Sequence, residues 1–382
     1  MDQKEFRNSV LDILENNILS YWLTLRDPRG GFYGEVDGLG RIDPDAPRGV
    51  ILNARIIWAF SAAWRVLKRP GYLDAATYAF RWFQSHFADP DYGGVFWSVS
   101  ADGKPLDAKK QLYAQGFAIY GLSEYVAATG SREALDTAVQ LFHTVERHFK
   151  DSENGGYIEA LGRDFSPLED MSLSASDLNC DKTMNSHLHI LEAFASLYRV
   201  WPDPGLKQAV EDLLDIVCGK IMGPDGHLRL YFDRKWNVLP GGTSWGHDIE
   251  TSWLALECAQ ALGDPAVVEK VMPAARKMGA AGNAGLGEDD GTEQWWAYAE
   301  AVVGNLWLWK YHGEAAALER AEKTYDFIRT RLVDRERGEW YWALLPNGEP
   351  DLGSPKAGFW KCPYHNSRMC LRVLLDYCQS EH

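Results

Sequence analysis

The chain has 382 residues, 46% hydrophobic and 24% charged, with 16 Trp, 17 Tyr and 15 Phe, a soluble globular composition with ample material for a core. A formal net charge of −15 argues against nucleic acid and anionic membranes as partners and would repel a polyanionic substrate, while neutral sugars would be indifferent to it. Six cysteines (Cys180, Cys218, Cys258, Cys362, Cys370 and Cys378) lack C-x-x-C spacing, and a chain this long needs no staples, so reduced thiols in a cytoplasmic protein are expected.

Residues 1–15 alternate charge with apolar side chains and hold no continuous apolar run of signal length, so neither a secretion signal nor a membrane span is expected. Phe6, Val10, Ile13, Leu14, Ile18 and Trp22 recur at helical spacing. The run GGFYGEVDGLG (30–40) then reads as a short extended segment and a turn, followed by helical patterns over 52–67 and 73–87. About 60 residues further on, GGVFWSVSADG (93–103) repeats the glycine pair, the aromatic and apolar strand, and the Asp/Gly turn. A third copy begins with GGYIEA (155–160), a looser one is GHLRLYFD (226–233), and a clear late one is GEWYWALLPNG (338–348). The stretch AGLGEDDG (284–291) stands where another copy is due but has lost the strand. Paired helical patterns lie between the copies: 113–128 with 133–149, 185–198 with 206–221, 247–261 with 267–278, and 295–311 with 315–332. A last helix starts near Asn366.

A repeated helix pair must bury its apolar face against its neighbours, and six hairpins can close on themselves as a double ring. The expectation is an all-α fold, an (α/α)6 barrel with short β-hairpins at the active-site end, forming one catalytic domain over residues 1–382; an open solenoid of the same hairpins is the alternative. In the closed ring the strand-turn segments gather where the inner helices begin. That end would bring together Arg55, Tyr113, Asn185, His189, His247 and His365.

The stretch SWGHDIE (244–250) looks like a turn feeding a helix: Gly246 breaks the extended chain, and Asp248 suits the positive end of a first turn. His247 and Glu250, three residues apart, share a helix face, and an imidazole near a carboxylate is an acid/base device. In residues 181–192, Asn185, His189 and Glu192 share a face while His187 points elsewhere and reads as structural. Pro363 fixes a loop just ahead of the helix that carries His365. Three histidines at equivalent positions of three repeats call for a common role. Metal ligation by His189 with Glu192 and His247 with Glu250 is one option, although no H-E-x-x-H spacing appears. A glycosidase-type pair drawn from Asp248, Glu250, Asp289 and Asp290 is another, and it leaves the histidines unused.

Six segments in order, RGVILNAR (48–55), KQLYAQ (110–115), KTMNSHLHILEA (182–193), WGHDIE (245–250), EQWW (293–296) and WKCPYHN (360–366), resemble the N-acylglucosamine 2-epimerase superfamily, and within it the cellobiose 2-epimerase branch. The likeness runs from about Gly30 to Leu371. It implies an isomerase without metal or cofactor that inverts carbon 2 of the reducing-end glucose or mannose unit of β-1,4-disaccharides such as cellobiose and lactose. A hydrogen beside the open-chain aldehyde leaves, a cis-enediolate forms, and a proton returns to the opposite face, which requires two bases. The resemblance makes these His247 and His365, with His189 assisting ring opening, Arg55 holding the developing negative oxygen, and Glu250 orienting or tuning His247. Tyr113, Asp177 and Asn185 would bind hydroxyls, and Trp360 and the Trp295/Trp296 pair would offer stacking faces. A mannose 2-epimerase or aldose–ketose isomerase is the nearest alternative, followed by a glycoside hydrolase of the same fold and a non-catalytic sugar-binding protein. A small sugar is the expected partner of a monomer or weak homodimer. Two positions depart from the family pattern: Trp245 replaces an expected Tyr, and Ala297-Tyr298 stands where relatives carry Gln. Both are expected to bear on the far sugar subsite.

Overall fold

The computed structural model describes residues 3–285 and 293–377. Its helices are α1 (residues 3–24, with a π-helical Ile13–Leu19 in the middle), α2 (Val50–Leu67), α3 (Pro70–His86), α4 (Leu112–Thr129) and α5 (Arg132–His148). The order continues with α6 (Met184–Val200), α7 (residues 204–221), α8 (Trp245–Ala261), α9 (Pro265–Gly285), α10 (Trp295–His312), α11 (residues 315–332) and α12 (residues 365–377). The even-numbered helices from α2 to α12 pack on one another in turn, and α12 returns to α2. This closes an inner ring, and α3, α5, α7, α9, α11 and α1 clothe it from outside, so the fold is the (α/α)6 barrel and not the open solenoid.

Burial follows position in the ring. Helix α2 is long and apolar enough to cross a membrane by composition, with mean hydropathy 1.4, yet 78% of it is buried inside the barrel. An inner helix touches neighbours on every side, so its sequence is apolar all round. Outer helices show one apolar face, as α5 does with Ala134, Ala138, Leu141, Phe142 and Val145. The first helix completes the outer ring against the last unit: Asn17 Nδ2 donates to the Asp334 carbonyl at 2.8 Å, and Trp22 Nε1 donates to Glu339 Oε2 at 2.6 Å.

The strands are shorter than the sequence suggests and most pair differently. They are β1 (Glu35–Val36), β2 (Ile42–Asp43), β3 (Arg48–Gly49), β4 (Ser98–Val99), β5 (Pro105–Asp107), β6 (Lys110–Gln111), β7 (Ala160–Leu161), β8 (Lys182–Thr183), β9 (Tyr231–Phe232), β10 (Glu293–Gln294) and β11 (Ala343–Leu344). Local hairpins exist at β1–β2 and β4–β5. Elsewhere the strand leading into an inner helix pairs with the strand that follows the next outer helix, as β3–β4, β6–β7, β8–β9 and β10–β11. The expected hairpins are therefore largely bridges between consecutive units. A two-residue strand gains little alone, and pairing across units also ties each repeat to the next. Of the degenerate stretch 284–291, Ala284 and Gly285 finish α9, while the remainder, with Asp289 and Asp290, lies outside the described residues, as does Cys378. The other five cysteines are free thiols.

A recurring buried ion pair fixes this end of the barrel. An aspartate just after an outer helix receives a cation from just before the next inner helix: Asp27 from Arg48, Asp89 from Lys110 at 2.8 Å, and Asp151 from Lys182 at 2.8 Å; Asp334 receives Lys356 in the last unit. The same aspartates accept backbone N–H groups of the glycine-pair turn, as Asp151 does from Glu153 and Asn154. In that turn Gly155 and Gly156 adopt φ of 77° and 74°, a region that only glycine enters without strain. Burial alone would raise the Asp151 pKa, but the hydrogen bonds from Lys182 and Asn154 bring it down to about 2. Lys182 also donates to the carbonyls of Gly155 and Arg234, both at 2.7 Å. Removing one member of such a pair leaves a buried charge and two orphaned carbonyls. Lys182→Ala is expected to lower unfolding free energy in urea by about 3–5 kcal/mol; a loss below about 1 kcal/mol would show that the nearby Arg234 suffices.

Candidate active site

The inner helices all start at the strand end, so their first turns surround one cleft of about 270 Å³. It is lined by Arg55 of α2, Tyr113 of α4, Asn185 and His189 of α6, His247 and Glu250 of α8, Trp295 and Trp296 of α10, and Trp360 and His365 at the start of α12. Asp177 reaches it from the loop before β8, where its carboxylate accepts from Tyr231 and Ser174. Every residue that the sequence nominates for the site therefore lines one cavity. The sequence missed Leu173, Ser174, Ser176 and Trp342, which complete the wall.

Three histidines present the same edge to the protein. Nδ1 of His189 meets Glu192 Oε1 at 2.7 Å, Nδ1 of His247 meets Ser244 Oγ at 2.6 Å, and Nδ1 of His365 meets Glu300 Oε1 at 2.7 Å. None of the three Nε2 atoms has a hydrogen-bond partner among the described residues, which leaves the other edge of each ring for a ligand. His187 differs. Its Nδ1 meets the Thr183 carbonyl at 2.7 Å and its Nε2 accepts from the Tyr157 N–H at 3.0 Å, so it is a structural pin, as its helix face suggested.

One expected role needs correction. Glu250 does not orient His247: three residues along a helix put the two on neighbouring faces, but the carboxylate points inward, where Arg368 Nη2 donates to Oε1 at 2.7 Å. Ser244, at the cap of α8, holds His247 instead. Carboxylates hold the other two rings, Glu192 that of His189 and Glu300, from the middle of α10, that of His365. Arg368 ties the cluster together, donating to Glu192 at 2.9 Å and to Glu250 and Glu300 at 2.7 Å each. Glu300 also accepts from Trp253 Nε1 at 2.9 Å, and Glu192 from the Tyr364 hydroxyl at 2.6 Å. Burial and the adjacent Glu300 charge push the Glu250 pKa well above the ordinary value. Glu300 goes the other way: burial opposes its charge, but Arg368 and His365 outweigh that, and it is ionised.

Glu250, Glu300 and His365 bring their ligand-type atoms within 4.8 Å of one another. The guanidinium of Arg368 already donates to both carboxylates there, so the balancing cation is the protein's own. Asp248, another carboxylate considered for catalysis, is engaged elsewhere by His227 Nδ1 at 2.7 Å and the Leu228 N–H at 2.8 Å.

The aromatic wall is also specific. Trp296 lies against both histidines, with ring centroids 4.7 Å from His247 and 5.7 Å from His365. Gly246 permits this, because a Cβ there would come 2.6 Å from the indole. Trp295 is only 2% exposed, with Lys361 Nζ 4.0 Å over its ring, so it buttresses His365 and offers no stacking face. Arg55 is aimed by Tyr113, whose hydroxyl accepts from Nη2 at 2.9 Å, and by the rings of Phe117 and Tyr364. Asn185 Oδ1 is a buried acceptor without a partner. The two departures from the family pattern lie outside this wall. Trp245 packs on Gly285 and His227, and Tyr298 stacks on Phe327 at 4.8 Å.

Comparison with known proteins places this geometry. The profile of the N-acylglucosamine 2-epimerase (GlcNAc 2-epimerase) family matches residues 31–367. A cellobiose 2-epimerase of Bacteroides fragilis is 45% identical over 94% of this chain and 96% of its own. The solved cellobiose 2-epimerase of Bacillus thermoamylovorans B4167 superposes with a TM-score of 0.93 at 35% identity, covering 97% of this chain and 99% of that one. A D-mannose isomerase of Marinomonas mediterranea is more distant, 20% identical over 94% of this chain and 95% of its own.

Enclosure sets the protonation of the two facing rings. Burial pushes the His247 and His365 pKa values down to about 3, in spite of the opposing charge of Glu300. A depressed histidine pKa means that the neutral, proton-accepting form persists as pH falls, and protonation begins only near the lowered value. In protein labelled at histidine, the Cε1–H resonances of both rings are expected to stay fixed from about pH 8 to about pH 5, the range in which a free imidazole titrates. A midpoint near the free-histidine value of about 6.5 in either ring contradicts this reading.

Proposed function

The chain belongs to the N-acylglucosamine 2-epimerase family, and from that premise we propose that it epimerises carbon 2 of the reducing-end glucose or mannose unit of β-1,4-disaccharides such as cellobiose and lactose. The observation that carries the reading is the pair His247 and His365, on different inner helices, both flanking Trp296 with Nε2 unengaged. Two bases on two sides of one cleft suit a reaction that removes a proton from one face of a carbon and returns it to the other.

The steps balance as follows. His189, held by Glu192, assists opening of the sugar ring at the ring or carbonyl oxygen. One neutral imidazole takes the proton from carbon 2, and the bond's electron pair moves into the carbon 1–carbon 2 bond, placing negative charge on the carbonyl oxygen as the cis-enediolate forms. Arg55 faces that charge in a water-poor pocket, where electrostatic stabilisation is strongest. The other imidazole, neutral at rest, takes a proton from solvent and delivers it to carbon 2 from the opposite side, and loss of the first ring's proton to solvent resets the pair. Glu300 lets His365 carry the positive charge of its protonated state. Asn185, Tyr113 and Asp177 meet sugar hydroxyls, and Trp296, Trp342 and Trp360 offer ring faces.

Incubation with cellobiose, and separately with mannose, in heavy water tests the reaction. The epimeric disaccharide with deuterium at carbon 2 is expected; epimer without deuterium would sink the enediolate. Released glucose would indicate hydrolysis, ketose would indicate isomerisation, and preference for free mannose would move the substrate class to monosaccharides.

His247→Ala and His365→Ala are each expected to abolish turnover with an unchanged circular dichroism spectrum. Glu300→Gln is expected to lower kcat by about 10²-fold or more, since the ring it holds loses its compensating charge. Activity should survive EDTA; a loss restored by a divalent cation would place a metal on Glu250, Glu300 and His365.

A further inference from the structure

The barrel has a second opening at the C-terminal ends of the inner helices. There a cavity of about 740 Å³ is walled by Trp58 and Tyr120 and rimmed by Arg65, Lys68, Arg199 and Arg372. Four cations face two carboxylates: Glu124 pairs with Arg65 at 2.7 Å, and Glu257 is shared by Arg372 and Arg199, the latter at 3.2 Å. Asp376 lies close to Arg372, at 3.9 Å, but is held at 2.9 Å by Lys310. The floor is Arg368, whose guanidinium ends reach forward to the three glutamates while its Nε–H is buried with no partner. Burial lowers the Arg372 pKa, with Asp376 opposing the shift and the neighbouring Arg199 adding to it.

Helix C-termini favour cations, because their carbonyl ends carry partial negative charge. That accounts for a cation at the end of each helix. It does not account for four of them around one cavity whose floor is a fifth guanidinium with a buried, unused donor, in a chain of net charge −15.

We propose that this rear cavity is an anion-binding site, distinct from the catalytic cleft, that takes a small oxyanion such as inorganic phosphate. Arginine guanidinium groups suit oxyanions through paired hydrogen bonds. An anion at the back of Arg368 competes with the glutamates at its front for the same positive charge, so occupancy is felt at Glu300 and His365. The site is then a means by which an anion adjusts the acid/base pair without touching the sugar.

Titration calorimetry with inorganic phosphate at fixed ionic strength, on wild type and on the double variant Arg65→Gln/Arg199→Gln, tests this. Neither residue belongs to the catalytic cleft, so the double variant should keep wild-type turnover in phosphate-free buffer. Wild type is expected to bind one phosphate per chain, with chloride inert at equal ionic strength, and the double variant to bind roughly tenfold or more weakly. Phosphate should also change kcat of wild type and leave that of the variant unmoved. Absence of saturable binding to wild type overturns the proposal, as does equal binding by the two proteins. Should the double variant fold poorly, the exposed Lys68→Ser gives the same comparison with a smaller expected loss. The binding result is independent of which sugar is turned over.

Discussion

Everything at the centre of this barrel depends on Arg368. Three glutamates from three inner helices, Glu192, Glu250 and Glu300, converge where water is excluded, and three carboxylates there without a cation would not ionise together. A single guanidinium donating to all three resolves the conflict by sorting them. The Glu300 pKa is lowered while those of Glu250 and Glu192 are raised, so negative charge is favoured at Glu300 over the other two. The sorting reaches the cleft because two of the three glutamates continue outward to imidazoles, Glu192 to His189 and Glu300 to His365. The orientation of the His189 and His365 rings is a consequence of the same set of hydrogen bonds.

The strand end supplies the complementary constraint. A histidine in the first turn of a helix is positioned only as well as the helix start, and helix starts have free N–H groups that tend to fray. Here the starts of α2, α4, α6 and α10 are pinned by strand pairs that cross to the next unit, and the approaches to α2, α4, α6 and α12 by buried cation–aspartate pairs. The rigid part of the molecule thus lies directly behind the site, while the sugar-facing wall is built from side chains on the first turns and from the loop carrying Ser174, Ser176 and Asp177. Such a division suits a reaction in which two bases must hold their separation while the substrate changes from ring to open chain.

Much of this was legible in the sequence because the repeat made it so. Gly-Gly turns marked three units and looser single-glycine turns two more, and with six units counted His189, His247 and His365 had to fall at one end. The family resemblance then added Asp177 and the tryptophans. What periodicity could not show was which partner each ring has, because Glu300 and Arg368 lie along their helices away from the motifs and meet only when the ring closes. A signal existed nonetheless. Inner helices are apolar all round, and a lone charge within such a run, as Glu300 in WWAYAEAVVGNL or Arg55 in VILNARIIWAF, has no solvent to face. Such a charge meets its partners across the barrel axis: Glu300 and Glu250 meet Arg368, and Arg55 meets the Tyr113 hydroxyl, so Glu250 turns away from its helix neighbour and leaves His247 to Ser244 at the cap. The strand pairing was missed for a related reason, since a two-residue strand carries no register in its own sequence.

The two facing histidines are not equivalent, and the difference is set by what stands behind them. His365 rests on an ionised carboxylate, whereas His247 rests on the hydroxyl of Ser244, which can accept or donate but adds no charge. An imidazolium formed at His365 is therefore compensated by the carboxylate behind it and one formed at His247 is not, although both rings rest neutral. A base that returns a proton must first hold it, while a base that takes one must be free. The chemistry is symmetric about carbon 2, but the protein around it is not, and the asymmetry originates in Arg368's choice of which glutamate to ionise.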